Sequence, residues 1–410
     1  MIKYFAGALC FAGALTATAA SAKTGDPLPL GDGLTLDPIV DLRVRYESVD
    51  QPLVDAEAIT ARLRAGFELR NTSGVSVLVE GEGTWAIGED YNAFPFAIAS
   101  RQRRPGFATV ADPENLELNR LQLQWKSKAA TVTLGRQRIN LDDQRWVGNV
   151  GWRQNEQTFD AIRGEAKAGP VSLDAAYMIG QRTVFGALAG PREAYKGDFV
   201  LLGAGGKIGP VQAKAFAYLL DYDTPFFLTN SSQTYGLRLT APVPLGKAKL
   251  TLAASYARQS NYRLNPVIYR ADYIAGEAAV AFRGLTVTGG WEQLGSDTGR
   301  FAVQAPMGTL HKFDGWADLF LTTPAAGLQD AYAGAAYKFG GVKALPGLNA
   351  AVTYHQFDSD TGNIAYGSEW DASLGFKLDR FALLAKYADY QRAAFGTDTR
   401  KFWLQAETSF

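Results

Sequence analysis

Period-two alternation runs through this chain almost from end to end, and no other feature narrows its possible folds so far. In Val40-Asp41-Leu42-Arg43-Val44-Arg45-Tyr46-Glu47 one row is Val, Leu, Val, Tyr and the other is Asp, Arg, Arg, Glu. In the next segment Ile59, Ala61, Leu63, Ala65, Phe67 and Leu69 oppose Arg62, Arg64, Glu68 and Arg70. Side chains alternate across a strand, so each segment is a strand with one apolar and one charged face. A soluble sheet has little use for so many charges in one row, whereas a wall between lipid and a watery lumen calls for them.

Eighteen such segments can be placed: 36–48, 58–71, 74–87, 115–127, 129–138, 157–168, 170–181, 196–208, 210–222, 232–243, 247–260, 270–283, 285–296, 329–340, 347–358, 368–379, 380–392 and 399–410. Their connections alternate in length. Asn71-Thr72-Ser73-Gly74, Ala168-Gly169-Pro170, Ile208-Gly209-Pro210 and Arg283-Gly284-Leu285 are tight turns, each followed one strand later by a longer polar loop. The fold class this implies is all-β: a transmembrane antiparallel up-and-down barrel of about eighteen strands, with short periplasmic turns and long extracellular loops. Composition agrees. The 410 residues are 47% hydrophobic, yet mean hydropathy is only −0.11, and past Ala22 no run approaches the roughly 20 apolar residues of a spanning helix. Lys plus Arg and Asp plus Glu both number 41, which gives no global field for nucleic acid or an anionic surface.

At the amino terminus Lys3, the apolar stretch from Tyr4 to Leu15 and the small residues Ala20-Ser21-Ala22 read as a cleavable signal peptide, 1–22, leaving a barrel over 23–410 in the cell outer membrane. The single cysteine, Cys10, lies in the discarded segment. Tyr46, Trp85, Trp125, Tyr177, Tyr218, Tyr256, Trp291, Tyr354, Trp370 and Tyr387 recur near strand ends, as girdles facing outer-membrane lipids would. The chain closes on an alternating strand ending in Phe410, which resembles the signal read by the outer-membrane barrel-assembly machinery.

On the lumen side the alternation places Arg43, Arg45, Arg62, Arg64, Arg70, Arg120 and Lys126. Guanidinium groups stay charged and grip both oxygens of a carboxylate, so this basic ladder suits a polyuronate or a small organic acid. Glu47, Glu68, Glu80 and Glu82 face the same lumen, and cross-strand pairing that stiffens the wall is the other reading. Beyond lipid-facing Val132 and Leu134, strict alternation would send Arg136 and Arg138 outward. A bulge at Gly135 is expected to redirect them, the other possibility being that both lie above the lipid. The segment 139–155, with Asp142, Asp143, Arg145 and Arg153 beside Trp146 and Trp152, then folds inward as a constriction or packs over the rim. A second gate candidate spans 297–328.

Catalysis finds little support. The only histidines are His311 and His355, no G-x-S-x-G elbow occurs, and no metal or cofactor motif appears. The expectation is a non-enzyme with no cofactor, no metal and no nucleic-acid partner.

The stretch Gly135-Arg136-Gln137-Arg138-Ile139-Asn140-Leu141-Asp142-Asp143-Gln144-Arg145-Trp146, continuing through Arg153 to Asp160, resembles the signature of the alginate export family of Gram-negative outer-membrane porins. So does His311-Lys312-Phe313-Asp314-Gly315-Trp316-Ala317-Asp318, followed by Gly327-Leu328-Gln329-Asp330. The resemblance implies passage of hydrophilic solutes, with the acidic polysaccharide alginate as the family's namesake cargo through an Arg-rich pore. The expected function is a passive outer-membrane channel preferring anions. The alternatives are a general porin without that preference, or a barrel plugged by its own loops.

Overall fold

The computed structural model describes residues 26–410; the signal segment read at 1–22 lies outside the described residues. The first nine barrel strands are Leu34–Asp50 (β1), Asp55–Asn71 (β2), Val75–Asp90 (β3), Asn115–Lys126 (β4), Ala130–Gln137 (β5), Thr158–Ala168 (β6), Val171–Arg182 (β7), Ala194–Ile208 (β8) and Val211–Tyr222 (β9). The other nine are Ser232–Leu245 (β10), Ala248–Asn261 (β11), Arg270–Phe282 (β12), Leu285–Leu294 (β13), Leu328–Lys338 (β14), Asn349–Asp358 (β15), Ala365–Leu378 (β16), Phe381–Arg392 (β17) and Thr399–Ser409 (β18). Every neighbouring pair is antiparallel, and β1 pairs with both β2 and β18, so the sheet closes on itself. Closure leaves no unpaired edge, which is the condition for a sheet to cross hydrocarbon. Phe410 completes the seam, its backbone exchanging hydrogen bonds with Val40. A short strand, Leu28–Gly31, folds back on the start of β1.

The alternating rows fall on the faces expected of them. Leu42 and Val44 are exposed on the outer surface while Arg43 and Arg45 between them are buried inside, and Ile59 and Phe67 face out while Arg62 and Arg64 face in. The outer wall is thus an apolar belt, with Trp85, Trp125, Tyr177, Tyr256, Trp291, Trp370 and Tyr387 exposed on it. Tyr218 departs from the girdle. It points into the barrel, buried and stacked on Phe216 at 4.7 Å, because β9 is apolar on both rows and its inner row, Phe216, Tyr218, Leu220 and Tyr222, has something to bury against.

The bulge expected at Gly135 is absent. β5 keeps register with both neighbours through that residue, Gly135 lying opposite Gln122 and Ala161. Register shifts occur nearby, at Asn119 of the adjacent β4 in its pairing with β3, and at Ile179 of β7. Gly135 is needed for another reason. Its φ is +110°, and a Cβ there would meet the Leu121 carbonyl oxygen at 2.3 Å.

Candidate functional site

The lumen is not an open cylinder. The segment between β5 and β6, 138–157, runs inside the barrel and crosses from one wall to the other, held by different chemistry at each side. On the β7–β9 side the seat is apolar: Ile139, Leu141 and Val147 pack in one buried cluster with Met178, Phe199, Leu201 and Phe216. Each such side chain contributes about 1.5–3 kcal/mol on full burial. Trp146 joins this seat with its ring 6.1 Å from Phe216 and 5.1 Å from Tyr273.

On the β1–β2 side the seat is ionic, and here the reading of Arg43, Arg45, Arg62 and Arg64 as pore-lining is corrected. They face inward but lie under the segment instead of facing a lumen. Arg43 donates to the carbonyls of Gly151, Trp152 and Arg153 at 3.0, 3.1 and 3.2 Å, Arg45 to that of Trp152, and Arg64 to that of Gln154 at 3.3 Å. Each also meets a carboxylate, and Arg45 donates to the Gln405 side-chain oxygen as well. Arg43 meets Glu407 at 3.0 Å, Arg45 meets Asp112 at 3.3 Å, Arg62 pairs with Asp41 and Glu407, and Arg64 pairs with Glu82 and Glu156. The side chains of Arg45 and Arg62 have 0% exposure, so neither can touch a passing solute. The physical reason is the fork geometry that suggested carboxylate guidance, since it serves equally well to bind several backbone carbonyls at once. Arg70 pairs with Asp37 and Glu68 near the short-turn end, and Arg120 with Glu80 at 2.6 Å. Lys126 lines open space, without an ion-pair partner among the described residues.

Within the signature segment the charges divide. Arg136 stays on the outer row, directly opposite Asp160, to which it donates at 2.8 and 3.0 Å, so its charge is neutralised at the end of β5. Arg138 lies past the last β5 residue and turns inward to Glu156 and Glu80. Asp142 and Asp143 reach the far wall, where they bridge Lys214 of β9 at 2.9 Å and Arg238 of β10 at 2.6 Å.

The segment between β13 and β14, 295–327, lies against the first. Val147 forms a parallel bridge with Met307, and Gly148 donates to the Met307 carbonyl at 2.9 Å. A Cβ on Gly148 would meet Thr309 Oγ1 at 2.2 Å, so only glycine permits this approach. Arg145 bridges Glu292 of β13 and Asp314, both at 3.0 Å, and Arg153 bridges Glu47 of β1 and Asp318 at 3.2 and 2.7 Å. Burial opposes charge on both guanidinium groups, but Asp314 and Glu292 around Arg145, and Glu47 and Asp318 around Arg153, hold them above the ordinary arginine value. His311 Nδ1 lies 2.7 Å from Asp318, and its Nε2 lies 2.8 Å from Lys386 Nζ. Its ring is stacked on Trp152 at 4.7 Å. Burial pushes His311 down to about 3, so the ring is neutral, donating from Nδ1 and accepting from Lys386 at Nε2.

Two cavities lie on the side away from the β1–β2 arginines. One of about 620 Å³ opens at the short-turn end and is lined by Lys126, Lys128, Lys167, Lys214 and Arg238 with Asp142 and Asp143. The other, about 400 Å³, lies further in, among Tyr273, Glu277, Lys312, Trp316, Tyr332 and His355. Asp143 and Arg238 line both, so their ion pair stands between the two spaces. The sequence carried a signal for the inward segment in its mixed charges; it carried none for Lys214 and Arg238 as its partners, which are isolated cations on the inner rows of β9 and β10.

A search of curated proteins finds no match to this chain. Among solved structures, Pseudomonas aeruginosa OccK1 (OpdK) superposes with a TM-score of 0.68 at 15% identity, covering 92% of this chain and 98% of that one. OpdK with vanillate gives 0.69 at 14% identity, over 91% and 98%. Acinetobacter baumannii OccAB4 gives 0.72 at 11% identity, over 92% and 98%. At these identities the likeness shows the fold. The alginate export family model matches residues 39–179, which contain the first signature stretch and the inward segment. Residues 39–179 thus match the alginate export family, and the closed eighteen-strand sheet that contains them has the fold of these Pseudomonas and Acinetobacter barrels.

Proposed function

We propose that this barrel is a constricted channel for small hydrophilic anions, which pass between the inward segments and the β6–β14 wall. The observation that carries the reading is the pair of cavities of about 620 and 400 Å³, separated by the Asp143–Arg238 ion pair. A solute moving from one to the other must displace that pair, and an anion does so by taking the place of the Asp143 carboxylate on Arg238. The cavities suit a small carboxylate, and a structural neighbour was solved with vanillate, an aromatic carboxylate. An alginate-like polymer needs the two segments to move aside first.

Reversal potential across a salt gradient in planar bilayers tests this. An anion-preferring potential is expected; a cation-preferring one sinks the reading. A plugged barrel is favoured by the two ion pairs that pin 138–157 across the lumen. It predicts no conductance until that segment is shortened, whereas an existing pore changes conductance or selectivity.

A further inference from the structure

The short-turn mouth carries a charge pattern that the channel reading does not use. β4, β6, β8, β14 and β16 end on that side in Lys126, Lys167, Lys207, Lys338 and Lys377, and β11 begins there with Lys249. All six fall on the inner row. Lys126 and Lys167 line the mouth cavity directly. Lys207 lies opposite Gln212, another residue of that lining. Lys249, Lys338 and Lys377 share alternation with Ser255, Tyr332 and Asp371, which face the inner cavity. Each lysine is exposed, and none has an ion-pair partner among the described residues. The nearby acids are committed elsewhere: Glu165 and Asp174 to Arg163, Asp142 to Lys214 and Asp143 to Arg238.

We infer that these six lysines form an electrostatic collar that captures multivalent anions at the short-turn mouth. Unpaired ammonium groups around a low-dielectric rim add their fields over the opening, and a ligand with several charges gains from several of them at once. Compact, mobile ammonium groups act as point charges, which suits phosphates and clustered carboxylates without imposing the planar geometry that arginine does. The inner segments narrow the lumen directly beyond the collar, so a captured anion waits beside the Asp143–Arg238 pair. Its use in transport rests on the channel reading; its binding does not.

Pyrophosphate titrated calorimetrically into the folded barrel in detergent needs no open pore, and so tests the collar apart from conduction. Binding is expected to weaken steeply with added salt, and to fall about tenfold or more in the K126Q/K167Q/K207Q variant. It should persist in R258Q/R263Q, which removes charge from the opposite end. Salt-insensitive binding, no binding by the native barrel, or equal affinity in the triple variant would overturn the collar. If that variant does not reach the folded, heat-modifiable form, K207Q and K338Q singly carry the test, each weakening binding about twofold.

Discussion

The two sides of the barrel interior use positive charge in opposite ways. Along β1 and β2, Arg43, Arg45, Arg62 and Arg64 are covered, each tied to carboxylates and three of them also to backbone carbonyls of the inward segment. Across the lumen, the lysines of β4 to β16 stand exposed and unpaired at the mouth. The difference follows from the side chains. A guanidinium in a rigid fork can satisfy several acceptors while buried, but an ammonium is strongly hydrated and costs more to cover. Along β1 and β2 arginine holds the plug, and at the short-turn mouth lysine faces the solvent.

The change expected to disturb this contrast most is R43Q/R45Q/R64Q. It removes the guanidinium donors to the carbonyls of residues 151–154, so the inward segment loses its ionic seat while the apolar seat on β7–β9 remains. Single-channel conductance should rise about threefold with anion preference retained, because the mouth lysines and Arg238 are untouched. If conductance is unchanged and anion preference collapses instead, the arginines guide solute after all, and the contrast between the walls is wrong.

Next in size is the pin between the two inner segments. Arg145 is buried between Glu292 and Asp314. R145L leaves two buried carboxylates without their cation, a loss of about 3–5 kcal/mol. The urea midpoint followed by tryptophan fluorescence should fall accordingly, and R145L/E292Q/D314N should recover much of the loss. A triple variant as unstable as R145L would mean that the arginine acts through packing, for instance over the Phe313 ring 4.8 Å away.

A smaller effect is expected at the partition. D143N frees Arg238 from its only ion-pair partner among the described residues. Conductance should rise by about a factor of two and the reversal potential should shift towards anions, while R238Q shifts it the other way. Equal shifts in both variants would place the partition elsewhere.

The barrel was legible because its signal is repeated. Every strand read from alternation is present, with ends displaced by only a few residues, since a lipid-facing row must stay apolar along its whole span. The interior was less legible. Alternation assigns a residue to a face but does not say what covers that face, so Arg45 and Lys126 looked alike although one is sealed and the other open. One clue was available in β9, where Phe216, Tyr218, Leu220 and Tyr222 make the inner row apolar too. A strand apolar on both rows inside a watery barrel implies a buried inner face, and thus a segment folded against it. At Gly135 the alternation held where a bulge was expected. Arg136 is tolerated on the outer row by Asp160 directly opposite, a pairing that depends on register between strands.

Acid should loosen the plug while sparing the mouth. His311 is packed against Asp318, Lys386, Trp152 and Trp403, with Arg153 and Lys401 both paired to Asp318. Burial lowers its folded-state value to about 3 from an ordinary 6.5. A group whose value is depressed on folding stabilises the folded arrangement fully above the ordinary value and loses that contribution as pH falls from about 6.5 towards 3. At pH 5 the loss is about 2 kcal/mol, because the seat must exclude a proton that free histidine would take. None of the mouth lysines is among the groups packed on this ring, so the two sides should separate in a titration. Trp152 fluorescence and protease access to 138–157 should change between pH 6.5 and 4, whereas pyrophosphate binding at matched pyrophosphate charge should not. In H311Q, which keeps a neutral donor and acceptor, the first change should flatten. An unaltered acid transition in H311Q would move the sensitivity from this ring to the carboxylates around it, and the plug would answer to acid by another route.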